Sequence, residues 1–152
     1  MPEEPSDLSI LFDLFAAGQR MKRLLTAAMV ESPLGPEEYA AYSVIFERGP
    51  LTPTDMAKTL GMPVTTVLDL LRTVAARGHI ERQPNPDDGR SYLISLTDAG
   101  VQTQQAASLE FARAMTPLAF SVGVEETEMR RALDVLSRAM EDVLKGLDTD
   151  SS

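Results

Sequence analysis

The stretch from Gly49 to Gly100 reads GPLTPTDMAKTLG (49–61), MPVTTVLDLLRTVAARG (62–78) and HIERQPNPDDGRSYLISLTDAG (79–100). Thr52-Pro53-Thr54-Asp55 has the composition of a helix start: Thr52 can cap, and Pro53 falls in the first turn, where its missing N–H costs nothing. Met56, Ala57 and Leu60 form the buried face of that short helix, which closes at Gly61. The next helix opens at Pro63 and places Val67, Leu70, Leu71 and Val74 on one side, the spacing of a buried stripe. Its opposite side carries Thr65, Asp69, Arg72 and Ala76, flanked by Thr66, Leu68 and Thr73. Gly78 stops it. Ile80 and Arg82 then alternate in a short strand that Pro84-Asn85-Pro86-Asp87-Asp88-Gly89 cannot continue, and Ser91 to Leu96 reads as the returning strand. Two short helices parted by a glycine and followed by a long-tipped hairpin are the order of a winged helix-turn-helix, which implies the reading of duplex DNA.

Outward from this stretch the chain is helical. Leu8, Leu11, Phe12 and Phe15, then Leu24, Leu25 and Ala28, recur at helical spacing behind a Ser6 cap, so residues 7–31 read as one amphipathic helix. Ser32-Pro33-Leu34-Gly35-Pro36 breaks it, and Pro36 with Glu37 and Glu38 starts a second helix that buries Tyr39, Tyr42 or Ile45, and Phe46 before Gly49. Thr97 caps a helix through Val101, Leu109, Ala112 and Met115, expected to fail near Pro117. Gly123 precedes a last helix in which Met129, Leu133, Leu136, Met140, Val143 and Leu147 form an a/d seam, a pattern that asks for a partner helix. Met1 to Pro5 and Asp148 to Ser152 read as disordered ends. The fold class is therefore mainly α with a small β-hairpin: a dimerisation helix over 1–33, a winged helix-turn-helix over 34–100 and C-terminal dimerisation helices over 101–152.

The composition excludes several functions. With no cysteine and a single histidine, His79, in 152 residues, there is no disulfide, thiolate site or ordinary zinc site, and no cofactor is expected. The same shortage, with no Gly-rich phosphate loop, argues against an enzyme. The acidic start and the absence of a long apolar run predict a cytoplasmic protein without membrane contact. A net charge of −9 is unfavourable for a DNA binder, but its placement matters more than its sum. Residues 1–48 carry 4 basic against 8 acidic side chains, residues 49–100 carry 5 against 6, and residues 101–152 carry 5 against 9.

Asp88-Gly89-Arg90-Ser91, followed by Leu93, Ser95-Leu96-Thr97 and Gly100, resembles the Asp-x-Arg-[Ala/Ser] wing and Leu-Thr-x-x-Gly helix start of the MarR family of bacterial winged-helix regulators. Leu60-Gly61, Thr66-Val67 and Arg77-Gly78, then Glu81-Arg82, resemble that family's recognition-helix frame. The resemblance implies an obligate homodimer with intertwined terminal helices and two winged domains on a pseudo-palindromic, double-stranded DNA operator. It also implies a transcriptional regulator, taken as a repressor, released by a small amphipathic or aromatic effector bound between the helical dimer and the winged domain.

The DNA-facing residues under this scheme are Val64, Thr65, Thr66, Asp69 and Arg72 on the recognition helix and Asp88, Gly89 and Arg90 on the wing. Arg90 either enters a narrow A·T-rich minor groove, oriented by Asp88, or pairs with Asp87 or Asp88 as a solvated loop residue. Many family members carry basic residues where this chain has Asp69 and Thr73. Asp69 either accepts from cytosine N4 or repels phosphate, and Arg72 is the candidate for guanine or the backbone. Dimerisation falls to Leu8, Leu11, Phe12, Phe15, Met129, Leu133, Leu136, Met140, Val143 and Leu147. The eight methionines and the Phe12, Phe15, Tyr39, Tyr42, Phe46 set serve as core and seam or line an effector crevice. Arg20, Lys22 and Arg23 form a solvated basic face or meet an anionic effector, and no effector residue is assigned. His79 reads as a strand-edge residue without chemistry. The alternative to a DNA-binding regulator is a winged-helix protein that has lost DNA affinity and acts through protein contacts.

Overall fold

The computed structural model describes residues 7–121, 123 and 125–149. Ser6 and Met1 to Pro5, and Asp150 to Ser152 at the other end, lie outside the described residues. The order is α1 (Asp7–Ala28), α2 (Pro36–Arg48), α3 (Pro53–Leu60), α4 (Val64–Ala76), β1 (Ile80–Pro84), β2 (Tyr92–Leu96), α5 (Asp98–Ser121) and α6 (Glu126–Thr149). It is the mainly helical, winged architecture that the sequence predicts. One compact unit runs to Met115, and a second comprises Thr116 onward.

Local chemistry sets each boundary of the first unit. At α2, Pro36 takes the first helical position and the Glu38 carboxylate reaches back to the Gly35 amide at 3.3 Å. At α3, the Thr52 hydroxyl oxygen accepts from the Asp55 amide at 3.1 Å and donates to the Asp55 carboxylate at 2.7 Å. Gly61 and Gly78 end α3 and α4 in the left-handed region, at φ 65° and 70°, where a side chain would be strained. Helix α1 stops at Ala28, short of the expected residue 31, because the chain turns there and the Ser32 amide bonds the Met29 carbonyl at 3.0 Å.

The core has two parts. Ala41 and Ile45 of α2, Met56 and Ala57 of α3, Val67 and Leu71 of α4, Leu51 and Ile94 form the first. Met29, Leu34, Tyr42, Val74 and Ala107 form the second, tying the end of α1 and the start of α5 to the winged unit. Burial of this many aliphatic side chains, at about 1.5–3 kcal/mol each, dominates the stability of the fold. The hairpin pairs Ile80 with Leu96 through Pro84 with Tyr92, antiparallel. A third short piece joins it: Leu51 and Ile94 exchange backbone bonds at 2.9 and 3.2 Å, which anchors the α2–α3 connection to the wing.

Several expectations are corrected. Phe46 is exposed and Tyr39 only half-buried, since Ala41, Tyr42 and Ile45 take the inward face of α2. Helix α5 continues through Pro117 to Ser121. Proline there forfeits one backbone bond near the end of the helix, so few bonds beyond it are at stake. Helix α6 retains Asp148 and Thr149, and its polar side carries the i,i+4 pairs Glu126–Arg130 and Asp134–Arg138, each at 2.6 Å. Met29 and Leu34, which the helical periodicity does not single out, are buried.

Candidate nucleic-acid interface

Helix α4 buries Val67, Leu71 and Val74 and turns its opposite face to solvent. Val64, Thr65, Thr66, Asp69, Arg72 and Thr73 are all exposed. On that face Arg72 Nη1 donates to Asp69 Oδ1, so the two charges sit against one another rather than apart. The Thr73 hydroxyl bonds back to the Asp69 carbonyl at 3.3 Å, within its own helix.

The wing is ordered by local hydrogen bonds. Asn85 Oδ1 accepts from the Asp87 amide at 3.1 Å, Asn85 Nδ2 donates to Ser91 Oγ at 2.7 Å, and the Asp88 carbonyl accepts from the Ser91 amide at 3.1 Å. Asp88 Oδ1 accepts from the Arg90 backbone amide at 3.0 Å. Asp88 thus orients the peptide of Arg90, not its guanidinium, because a carboxylate two residues before an amide closes an Asx turn. The guanidinium of Arg90 has no ion-pair partner among the described residues, so it is paired with neither Asp87 nor Asp88. A cleft of about 390 Å3 separates the wing from the start of α3, with Arg90, Asp88, Asn85, Thr54 and Asp55 on its walls. Arg82 on β1, which sequence reasoning did not assign to the interface, stacks over the Tyr92 ring at 4.6 Å from its centroid. The cross-strand pairing of the hairpin is the only signal that brings these two together, and it depends on register.

Behind the exposed face, a polar chain ties the end of α4 to α2. Arg77 Nη2 donates to Glu38 Oε1 at 2.8 Å, and beside it the Tyr42 hydroxyl lies 2.9 Å from His79 Nδ1. His79, next to the first residue of β1, is half-buried and hydrogen-bonded to Tyr42. Burial raises the Tyr42 phenol above its ordinary value, partly opposed by Arg77. The Glu38 carboxylate and the Tyr42 hydroxyl raise Arg77 further. Thr97 completes the tie: its hydroxyl donates to the Gly78 carbonyl at 2.8 Å and accepts from the Gly100 amide at 3.2 Å. A Cβ on Gly100 would lie 2.2 Å from the His79 carbonyl oxygen, which is the physical reason for glycine there.

Leu11, Phe12 and Phe15 of α1 are exposed, as are Met129, Leu133, Met140, Val143 and Leu147 of α6, with Leu136 half-buried. The side chain of Leu8 lies outside the described residues. A second cleft, of about 510 Å3, opens between α2 and α5 beside Tyr39, Phe46, Gln104, Ser108 and Leu109. Of the methionines, Met29 and Met56 are core, while Met21, Met129 and Met140 are exposed. No cluster of three or more His, Asp or Glu side chains fit to hold a metal occurs among the described residues. Nor is any described helix long and apolar enough to cross a membrane.

Comparison with known proteins gives this arrangement a context. Residues 36–92 match the family model described as MarR family. An HTH-type transcriptional regulator of Mycobacterium leprae is 28% identical over 102 residues, 67% of this chain and 71% of that one. The same fold is found in the transcriptional regulator MOSR of M. tuberculosis, solved in complex with DNA, at a TM-score of 0.73 and 22% identity over 88% of this chain and 96% of the other. It recurs in CouR of Rhodococcus jostii bound to p-coumaroyl-CoA, at 0.70 and 23% over 88% and 92%. With the helix-turn-helix, the bridge at Leu51, the Asp88–Arg90 wing turn and the Thr97–Gly100 clasp all in place, the chain has the winged-helix fold of these regulators, and its residues 36–92 are similar to the MarR family.

Proposed function

We propose that the protein is a sequence-specific DNA-binding regulator, a repressor that acts as a homodimer on a pseudo-palindromic operator and is released by a small effector. The observation that carries it is the solvent-facing side of α4 next in sequence to a wing whose Arg90 has no ion-pair partner among the described residues. Val64, Thr65, Thr66, Asp69 and Arg72 meet the major groove, and Gly89 and Arg90, set by Asp88, enter the adjoining minor groove. Half-sites lie roughly 10 base pairs apart, centre to centre.

The apolar faces support the homodimer. Phe12 and Phe15 are 70% and 66% exposed, an arrangement that soluble chains seldom leave uncovered, and the a/d seam of α6 has the spacing of a helix–helix contact. The dimerisation segments are residues 1–33 and 101–152, flanking the winged domain of 34–100. The α2–α5 cleft supports an amphipathic aromatic effector: Tyr39, Phe46 and Leu109 offer apolar surface and Gln104 and Ser108 offer hydrogen bonds. The p-coumaroyl-CoA held by CouR is a ligand of that general character.

The deciding experiment is a gel-shift titration of purified protein on DNA from its own upstream region at two salt concentrations. Retarded, saturable complexes that outcompete random DNA support the proposal. Binding no tighter to that region than to random DNA, at either salt, would replace it with a winged-helix protein acting through protein contacts.

A further inference from the structure

The outward face of α4 carries one pair of opposite charges in an unusual relation. Arg72 donates to Asp69 through Nη1 alone, and the side chains are 73% and 71% exposed. The Nε and Nη2 hydrogens, which form the other edge of the guanidinium fork, have no partner among the described residues. Such an exposed pair contributes little to folding stability, so its consequence lies in where the guanidinium points and what it can accept. A phosphate approaching Arg72 meets the Asp69 carboxylate beside it and is repelled. A guanine edge carries no net charge and presents O6 and N7 at the spacing of the free fork, so the pair discriminates against the backbone and in favour of a base.

We propose that Asp69 is a positioning residue for sequence recognition: it holds Arg72 with its Nε–Nη2 edge outward, so that Arg72 reads one guanine per half-site in the major groove. The inference rests on the DNA-binding function proposed above. It gives a role to a carboxylate that the sequence leaves divided between reading cytosine and repelling phosphate. It also accounts for recognition by a helix face whose other outward groups, Val64, Thr65, Thr66 and Thr73, are uncharged.

The test is selection from a randomised duplex library by the full chain, followed by affinities for the selected site, the site with its guanine replaced, and random DNA. Wild type, Asp69→Ala, Arg72→Ala, Arg72→Lys and the Asp69→Ala/Arg72→Ala double variant are compared, with circular dichroism to establish that each is folded. The wild type is expected to select a guanine in each half-site and to lose about tenfold or more in affinity when it is replaced. Each single variant should flatten that preference, and the double variant should flatten it no further than Arg72→Ala. Lysine fails because a point charge cannot supply the fork. Random-DNA affinity of Asp69→Ala should hold or rise, since a negative charge is gone. A mere loss of helix structure would instead lower every affinity together. Two outcomes overturn the inference while leaving DNA binding intact. One is wild-type guanine preference in Asp69→Ala. The other is a cytosine preference that vanishes in Asp69→Ala but survives in Arg72→Ala. If the wild type selects no sequence, the failure is that of the DNA-binding proposal itself, and the inference falls with it.

Discussion

Replacing Tyr42 by phenylalanine removes the hydroxyl that is hydrogen-bonded to His79 and leaves the buried ring in place. Tyr42 is 0% exposed and packs in the cluster of Met29, Leu34, Val74 and Ala107, so the substitution opens almost no cavity. What is lost is the contact to His79 Nδ1 at 2.9 Å. His79 is half-buried, so water recovers part of the loss, and the cost falls at about 1 kcal/mol. At fixed protein concentration the melting temperature should fall by a few degrees. The pH dependence gives an independent check. The folded phenol holds its proton above the ordinary value of 10.0, so above that pH the unfolded chain ionises first and stability falls as pH rises. This extra downward slope of the wild type, which stays below the one-proton limit of about 1.4 kcal/mol per pH unit, is absent from Tyr42→Phe. Arg77, raised rather than lowered, keeps its charge through this window. Urea denaturation of both proteins at neutral pH and above pH 10.0 measures both effects. An unchanged midpoint at neutral pH would refute the Tyr42–His79 hydrogen bond, and parallel alkaline limbs would refute the raised phenol.

Gly100→Ala drives a Cβ to 2.2 Å from the His79 carbonyl oxygen and should cost about 1–3 kcal/mol in urea denaturation, whereas Gly18→Ala, with nothing within 4 Å, should gain about 0.5–1 kcal/mol. Arg90→Ala, which removes one cation from each subunit of the proposed dimer, should weaken specific and random DNA alike and lower the magnitude of the salt slope by about 2, as measured by gel shift at several salt concentrations. Phe12→Glu with Phe15→Glu should halve the mass seen by light scattering; an unchanged mass would remove α1 from the dimer contact.

The helix-turn-helix is legible because its punctuation is local. Thr52, Pro53, Gly61 and Gly78 act on their own backbone, and the stripe of Val67, Leu71 and Val74 repeats at the helical period. The same holds for the wing, where Asp88 and Asn85 bond residues two to six positions away. What the sequence hides depends on partners distant in the chain. The Leu51–Ile94 bridge involves too few residues to alternate, and Arg82 meets Tyr92 only through the hairpin register. The bond from Tyr42 to His79 spans 37 positions, so nothing near His79 distinguishes it from an idle side chain. Phe46 misleads for a related reason: hydrophobicity alone does not say which side of α2 the core occupies, and Ala41, Tyr42 and Ile45 take it. The Asp69–Arg72 pair is local as well, since i,i+3 neighbours face one another on a helix.

A chain of net charge −9 that reads DNA must obtain its affinity from something other than the number of its cations. The surface proposed to meet DNA holds several charged groups in place in the free protein. Arg72 is held by Asp69, Arg82 lies on the Tyr92 ring, and the peptide of Arg90 is fixed by Asp88. Side chains already confined to one arrangement lose less entropy on binding, so each contact contributes more of its gross energy. Counterion release works differently, because it counts the phosphates neutralised and is indifferent to preorganisation. The two quantities should therefore separate in this protein. Discrimination between operator and random DNA should remain substantial, while the plot of log K against log salt stays shallower than about −8. Isothermal titration or fluorescence anisotropy across a salt series measures both from the same samples. A slope of order −8 or steeper would mean that binding is driven by many phosphate contacts after all, and that the paired arginines are spectators.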